Sequence, residues 1–110
     1  MTAHVDTFAR DHLPPRDQWP ALEFSLPELQ YPQTLNCATE LLDAAVARGW
    51  GDRRAVLSPE GVRWTYADLL ARANRFAHVL RDDMGLVPGN RVLLRGPNTP
   101  LMSAAWFAVI

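Results

Sequence analysis

The sequence predicts an α/β fold, and three observations carry that reading. Two stretches, 38–46 and 66–80, repeat apolar residues at helical spacing. The run Val92-Leu93-Leu94 is continuously apolar, as in a strand buried on both faces of a parallel sheet. Residues 101–110 are apolar nearly all round, with Ser103 the one interruption, which describes a helix that needs full burial. The expected order is an extended arm, a helix, a short hairpin, and then helix–strand–helix opening a parallel sheet.

The arm covers residues 1–33. Pro14, Pro15, Pro20, Pro27 and Pro32 are five of the nine prolines, and they rule out a long helix. Phe8, Leu13, Trp19, Leu22, Phe24, Leu26, Leu29 and Tyr31 alternate with them, which argues for an arm lying on a hydrophobic surface rather than a solvated linker. A short helix fits within 3–11. From residue 34 onward the composition is that of a packed domain.

The first long helix is expected over 37–48. Asn36 suits its N-cap. Ala38, Leu41, Leu42, Ala45 and Val46 form its apolar stripe. Arg48 suits the C-terminal end, and Gly49 can take the left-handed cap conformation. Two short strands follow at 55–57 and 62–64, joined by the four-residue loop Ser58-Pro59-Glu60-Gly61. Thr65 then caps the second helix, with Asp68 completing a capping box. Tyr66, Leu69, Leu70, Ala73, Phe76, Ala77 and Leu80 make its apolar face, and Asp68 and Arg72 are spaced to pair. Gly85 ends the helix, and Val87-Pro88-Gly89-Asn90 reads as a turn. After the expected strand at 91–95, Gly96-Pro97-Asn98 turns the chain. Thr99 is the expected cap of the last helix, with Pro100 at its first position.

The chain has 110 residues and a mass of 12.3 kDa, which allows one domain or part of one. Its formal net charge of −1 leaves no electrostatic footprint for nucleic acid or an anionic membrane. All 11 basic residues are Arg, so no lysine is available to hold a nucleotide phosphate or form a Schiff base. A single cysteine excludes an internal disulfide. With no secretory leader and no apolar run near the ~20 residues of a membrane span, the expected compartment is the cytoplasm. An apolar helix ending uncapped at Ile110, after one strand without neighbours, suggests the first part of a larger α/β protein.

Gly96-Pro97-Asn98-Thr99 lies between a strand and a helix N-terminus, where ligands bind in open α/β sheets; with one glycine and no dinucleotide fingerprint, it reads as an ordinary turn with a cap. Cys37 lies at a helix start but has no base near it, so it reads as a small packed residue. His4, His12 and His78 lack ligand spacing and read as structural or surface residues. Trp19, Trp50, Trp64 and Trp106 read as core packing rather than a stacking platform. The arginines, including the adjacent Arg53 and Arg54, read as solvated faces. These residues form no catalytic constellation, so no catalytic, cofactor-binding or metal-binding residue is assigned.

Four segments resemble the N-terminal region of the AMP-forming acyl-CoA synthetases, the adenylate-forming superfamily. They are Asn36-Cys37-Ala38-Thr39-Glu40-Leu41-Leu42-Asp43, Gly51-Asp52-Arg53-Arg54-Ala55-Val56, Trp64-Thr65-Tyr66-Ala67-Asp68-Leu69 and Gly85-Leu86-Val87-Pro88-Gly89-Asn90-Arg91-Val92. They occur in the family's order. Asp68 stands where Glu is usual, and Asn90 where Asp is usual. The arm, from Thr2 through Leu13-Pro14-Pro15 and Gln18-Trp19-Pro20, resembles the leader of benzoate and 2-aminobenzoate CoA ligases. The resemblance implies that 34–110 opens the large adenylation domain of an acid–CoA ligase. Such an enzyme uses ATP, Mg2+ and CoA to activate an aromatic acid through an acyl-adenylate. It also implies a scaffold role for this segment, partnered by the rest of the large domain and inactive alone. A stand-alone interaction module and the adenylation domain of a carrier-protein-dependent synthetase are the alternatives.

Overall fold

The computed structural model describes residues 3–110. Met1 and Thr2, where the resemblance of the arm begins, lie outside the described residues. The chain divides into two compact units. One comprises the described part of Met1–Leu35 together with Val87–Asn90; the other comprises Asn36–Leu86 and Arg91–Ile110.

The first unit has little regular structure. Helix α1 is a single turn, Phe8–Asp11, inside the segment expected to be helical. The Asp6 carboxylate accepts the Phe8 N–H at 2.9 Å, and the Thr7 hydroxyl donates to Asp11 at 2.7 Å. Two further turns are 3-10 in type, Arg16–Gln18 and Pro27–Leu29. Local polar contacts hold them: the Trp19 indole N–H donates to the Pro14 carbonyl at 2.8 Å, and the Gln30 amide donates to the Phe24 carbonyl. The apolar side chains are not covered as expected. Phe8, Leu13, Trp19, Leu22, Phe24, Leu26 and Tyr31 are exposed. The prolines limit this unit to isolated turns, and isolated turns build no continuous apolar face.

In the second unit, helix α2 runs from residue 37 and includes two wide π-type turns, Thr39–Asp43 and Val46–Trp50. Asn36 caps it as expected, its side-chain oxygen accepting the Thr39 N–H at 2.8 Å. Gly49 breaks it with φ 83°, the left-handed conformation that glycine adopts without steric cost. Strands β1 (Arg54–Leu57) and β2 (Arg63–Thr65) pair antiparallel, with Val56 opposite Trp64 and an irregularity between Arg54 and Val56. The expected loop joins them. The Ser58 carbonyl accepts the Gly61 N–H at 3.0 Å, and Gly61 has φ 87°.

Helix α3 (Tyr66–His78) continues into a π-type turn, Val79–Asp83. At its end Gly85 is left-handed, with φ 66°, and the Leu86 N–H reaches back to the Leu80 carbonyl at 3.0 Å. Helix α4 spans Pro100–Val109.

The core of this unit is Leu42 of α2, Leu69 and Ala73 of α3, and Ala104 of α4. Ala55, Val56, Trp64, Tyr66, Leu70, Phe76 and Phe107 pack around it. Alanines at 73 and 104 let α3 and α4 approach closely. Asn36 adds a second tie, its amide donating to the Ile110 carbonyl at 3.3 Å.

Three expectations are corrected here. Residues 91–95 form no strand: they pair with no other strand among the described residues. Burial alternates along them, with Val92 and Leu94 half-buried and Leu93 90% exposed. One side faces the helices, and a strand buried on both faces needs flanking strands that this unit does not supply. The two-stranded sheet is therefore antiparallel only. Within the stripe of α2, Leu41 is exposed. Helix α4, expected to be fully buried, buries only Ala104 among its residues, and leaves Leu101 and Trp106 exposed.

Candidate functional site

The motif with the clearest geometry is Trp64-Thr65-Tyr66-Ala67-Asp68-Leu69, at the junction of β2 and α3. Thr65 leaves the strand with extended backbone, φ −81° and ψ 173°. Its hydroxyl accepts the Asp68 N–H at 3.1 Å, while the Asp68 carboxylate accepts the Thr65 N–H at 3.0 Å and its hydroxyl at 3.1 Å. The Thr65 N–H, and then its hydroxyl, hold the Asp68 carboxyl below the usual carboxylate range. The Tyr66 N–H donates to the Arg53 carbonyl and the Ala67 N–H to the Gly51 carbonyl, both at 3.0 Å. Leu69 then enters the core at 3% exposure. The Thr65 and Asp68 side chains and the Tyr66 and Ala67 N–H groups are thus engaged in joining hairpin to helix. The motif is a structural joint, as its resemblance implies.

Arg72 was expected to pair with Asp68. It lies instead over the Trp64 ring, 4.3 Å from the centroid, and its charge lowers Asp68 only as a minor contribution. The same use of arginine recurs. Arg53 and Arg48 lie 4.6 and 5.7 Å from the Trp50 ring, and Arg16 lies 5.2 Å from that of Trp19. Four of the arginines read as solvated faces are therefore cation–π partners, each worth about 0.5–1 kcal/mol at such sites. Helical spacing missed them because Arg72 and Trp64 sit on different elements and the other three pairs are only two or three residues apart. Trp50 and Trp64 are half-buried, whereas Trp19 and Trp106 are exposed rather than in a core. Trp106 meets Phe107 edge-on at 5.0 Å.

The turn at 96–99 is exposed. Thr99 has the extended backbone of an N-cap, but its side chain makes no capping hydrogen bond, contrary to expectation. Its N–H bonds to the Pro97 carbonyl at 2.9 Å, a contact that already closes the turn. Pro100 occupies the first helical position as expected. Beside this turn lies an open groove of about 320 Å³, lined by Phe76, Leu93, Arg95, Thr99 and Leu101 among others. Its walls are mainly apolar.

Cys37 is exposed at the first turn of α2, not packed as expected, because the buried stripe begins one residue later. His12 stacks on Phe8 at 4.0 Å and its Nδ1 lies 2.7 Å from the Phe8 carbonyl. His78 is exposed beside Asp82, at 3.2 Å, and Arg81 chelates the same carboxylate at 2.6 and 3.0 Å. Hydrogen bonds from Arg81, and then His78, pull Asp82 down to about 2. His4 and His12 belong to the first unit and His78 to the second. No group of three His, Cys, Asp or Glu side chains among the described residues could hold a metal ion.

The sequence contains no lysine, and no catalytic step is assigned to the described residues.

What these elements define is a unit of helix, hairpin and helix whose polar contacts at its junctions cap helices and close turns. The chain belongs to the AMP-binding enzyme family, whose model matches residues 43–110. It is similar to the acetyl-coenzyme A synthetase of Burkholderia thailandensis, 45% identical over 67 residues, covering 57% of this chain and 10% of that protein. The acetyl-coenzyme A synthetases of Burkholderia mallei and Burkholderia pseudomallei match over the same shares and at the same identity. The chain thus spans about a tenth of the length of these curated relatives. No solved structure matches. No helix among the described residues is long and apolar enough to cross a membrane.

Proposed function

We propose that this chain supplies the opening part of the large domain of an AMP-forming acid–CoA ligase. The match of residues 43–110 to the AMP-binding family carries the reading. The geometry agrees with it: Thr65 to Leu69, within the segment that resembles the family's first core motif, is engaged in capping and packing. In the parent enzyme, a carboxylate attacks the α-phosphate of ATP to give an acyl-adenylate and pyrophosphate, and the CoA thiol then displaces AMP. Residues 1–33 act as an arm and 34–110 as scaffold. The residues that hold ATP, Mg2+ and CoA are contributed by other parts of the parent, which acts in the cytoplasm.

The acid is aromatic, of the benzoate or 2-aminobenzoate type, on the resemblance of the arm. The acetyl-CoA synthetases among the relatives favour a second reading, a short aliphatic acid. CoA-thioester formation by the full-length gene product separates the two. Turnover with benzoate or 2-aminobenzoate at least tenfold above acetate supports the first. The reverse order supports the second. Acyl transfer to a carrier protein without CoA overturns both.

A further inference from the structure

We propose that residues 4–6 form a strap closed on the Val87–Asn90 turn, and that Asn90 is the residue that fastens it. Asp6 and Asn90 lie 84 positions apart in sequence, yet the two segments belong to one compact unit. The Pro88 carbonyl accepts two backbone donors from the strap, the Val5 N–H at 2.8 Å and the Asp6 N–H at 3.0 Å.

A side-chain bridge completes the clasp. The Asn90 amide nitrogen donates to Asp6 Oδ2 at 2.9 Å. Each side chain also holds its own turn with its other atom. Asn90 Oδ1 accepts the Val87 N–H at 2.9 Å, and Asp6 Oδ1 accepts the Phe8 N–H at 2.9 Å. Asn90 therefore accepts within its turn and donates across the clasp. An amide does both, and an ionised carboxylate cannot donate. A carboxylate at position 90 would keep the bond to Val87 but place a second negative charge against Asp6.

Gly89 makes the close approach possible. Its φ of 99° suits glycine, and a Cβ there would lie 2.0 Å from the Asp6 carbonyl oxygen. The strap thus depends on two adjacent side-chain choices, none at 89 and an amide at 90.

The test is amide hydrogen exchange in the full-length protein, read on peptides spanning residues 3–11, with peptides from α3 as the folding control. Asn90→Asp should speed exchange of the strap at least about tenfold, because it removes a charge-assisted bond and adds repulsion. Asp6→Asn combined with Asn90→Asp moves the amide to the other side of the same bridge, and should return exchange to within about threefold of the parent. Gly89→Ala should open the strap with no change of charge. All three should leave α3 unchanged. Strap exchange unaltered in both Asn90→Asp and Gly89→Ala overturns the proposal, as does a swapped pair that exchanges as fast as Asn90→Asp alone.

Discussion

Residues 3–35 and residues 36–86 both carry many large apolar side chains and use them in opposite ways. In the second region, Leu42 and Leu69 are 1% and 3% exposed. In the first, Phe24, Leu26 and Tyr31 are each at least half exposed. Hydropathy is not what separates them. Apolar residues at helical spacing fall on one face, and two such faces plus a hairpin enclose a core. Apolar residues between prolines fall on isolated turns, which point them in unrelated directions. The first region is held instead by backbone and polar contacts: Asp6 to Phe8, Trp19 to Pro14, and the bridge to Asn90.

The largest expected effect follows from that contrast. Leu69→Ala should destabilise by about 2–5 kcal/mol, because it opens a cavity among packed neighbours. Phe24→Ala, despite removing more apolar surface, should stay within about 0.5 kcal/mol. Urea denaturation of the two variants checks this, and equal losses would break the contrast. Next comes the joint between hairpin and helix. Thr65→Ala should cost about 1 kcal/mol, with Thr65→Ser largely sparing the cap. Arg72→Ala should cost about 0.5–1 kcal/mol through its stack on Trp64, and Arg72→Lys should recover only part of that loss, since a planar guanidinium stacks better.

The smallest effect is pH-dependent. Asp82 has its pKa lowered to about 2 in the folded chain, by Arg81 first and His78 second, against about 3.9 when unfolded. Its contribution is therefore complete above the unfolded value and is lost as pH falls toward 2. Asp82→Asn should be less stable than the parent at pH 6 and converge with it near pH 2. Both carboxylate and partners are largely exposed, so the difference should also shrink in high salt.

The local signals were legible in the sequence. Asn36, Gly49, Thr65 with Asp68, Gly61 and Gly85 act where side-chain type and sequence distance alone specify a cap or turn. Pairings between distant elements were not legible. Arg72 reaches Trp64 rather than Asp68 because an indole face on β2 lies closer to hand than the helical neighbour that spacing favours. Asn90 could be read as a turn residue, but its donor role needs Asp6 opposite, which no local rule supplies. The strand expected at 91–95 failed for a related reason. An apolar run states that a segment can be buried on both faces; it does not provide the strands that would flank it. The capping role of Thr65 and Asp68 was legible because their types and three-residue spacing specify the reciprocal bonds they make.

We propose that these elements are scaffold for adenylate chemistry performed by the parent enzyme. Acid-dependent ATP–pyrophosphate exchange by the full-length gene product tests it most directly, because the first half-reaction needs no CoA. Exchange that requires a carboxylic acid and proceeds without CoA is the predicted result. No exchange with benzoate, 2-aminobenzoate or acetate, in a protein that binds ATP, would contradict it.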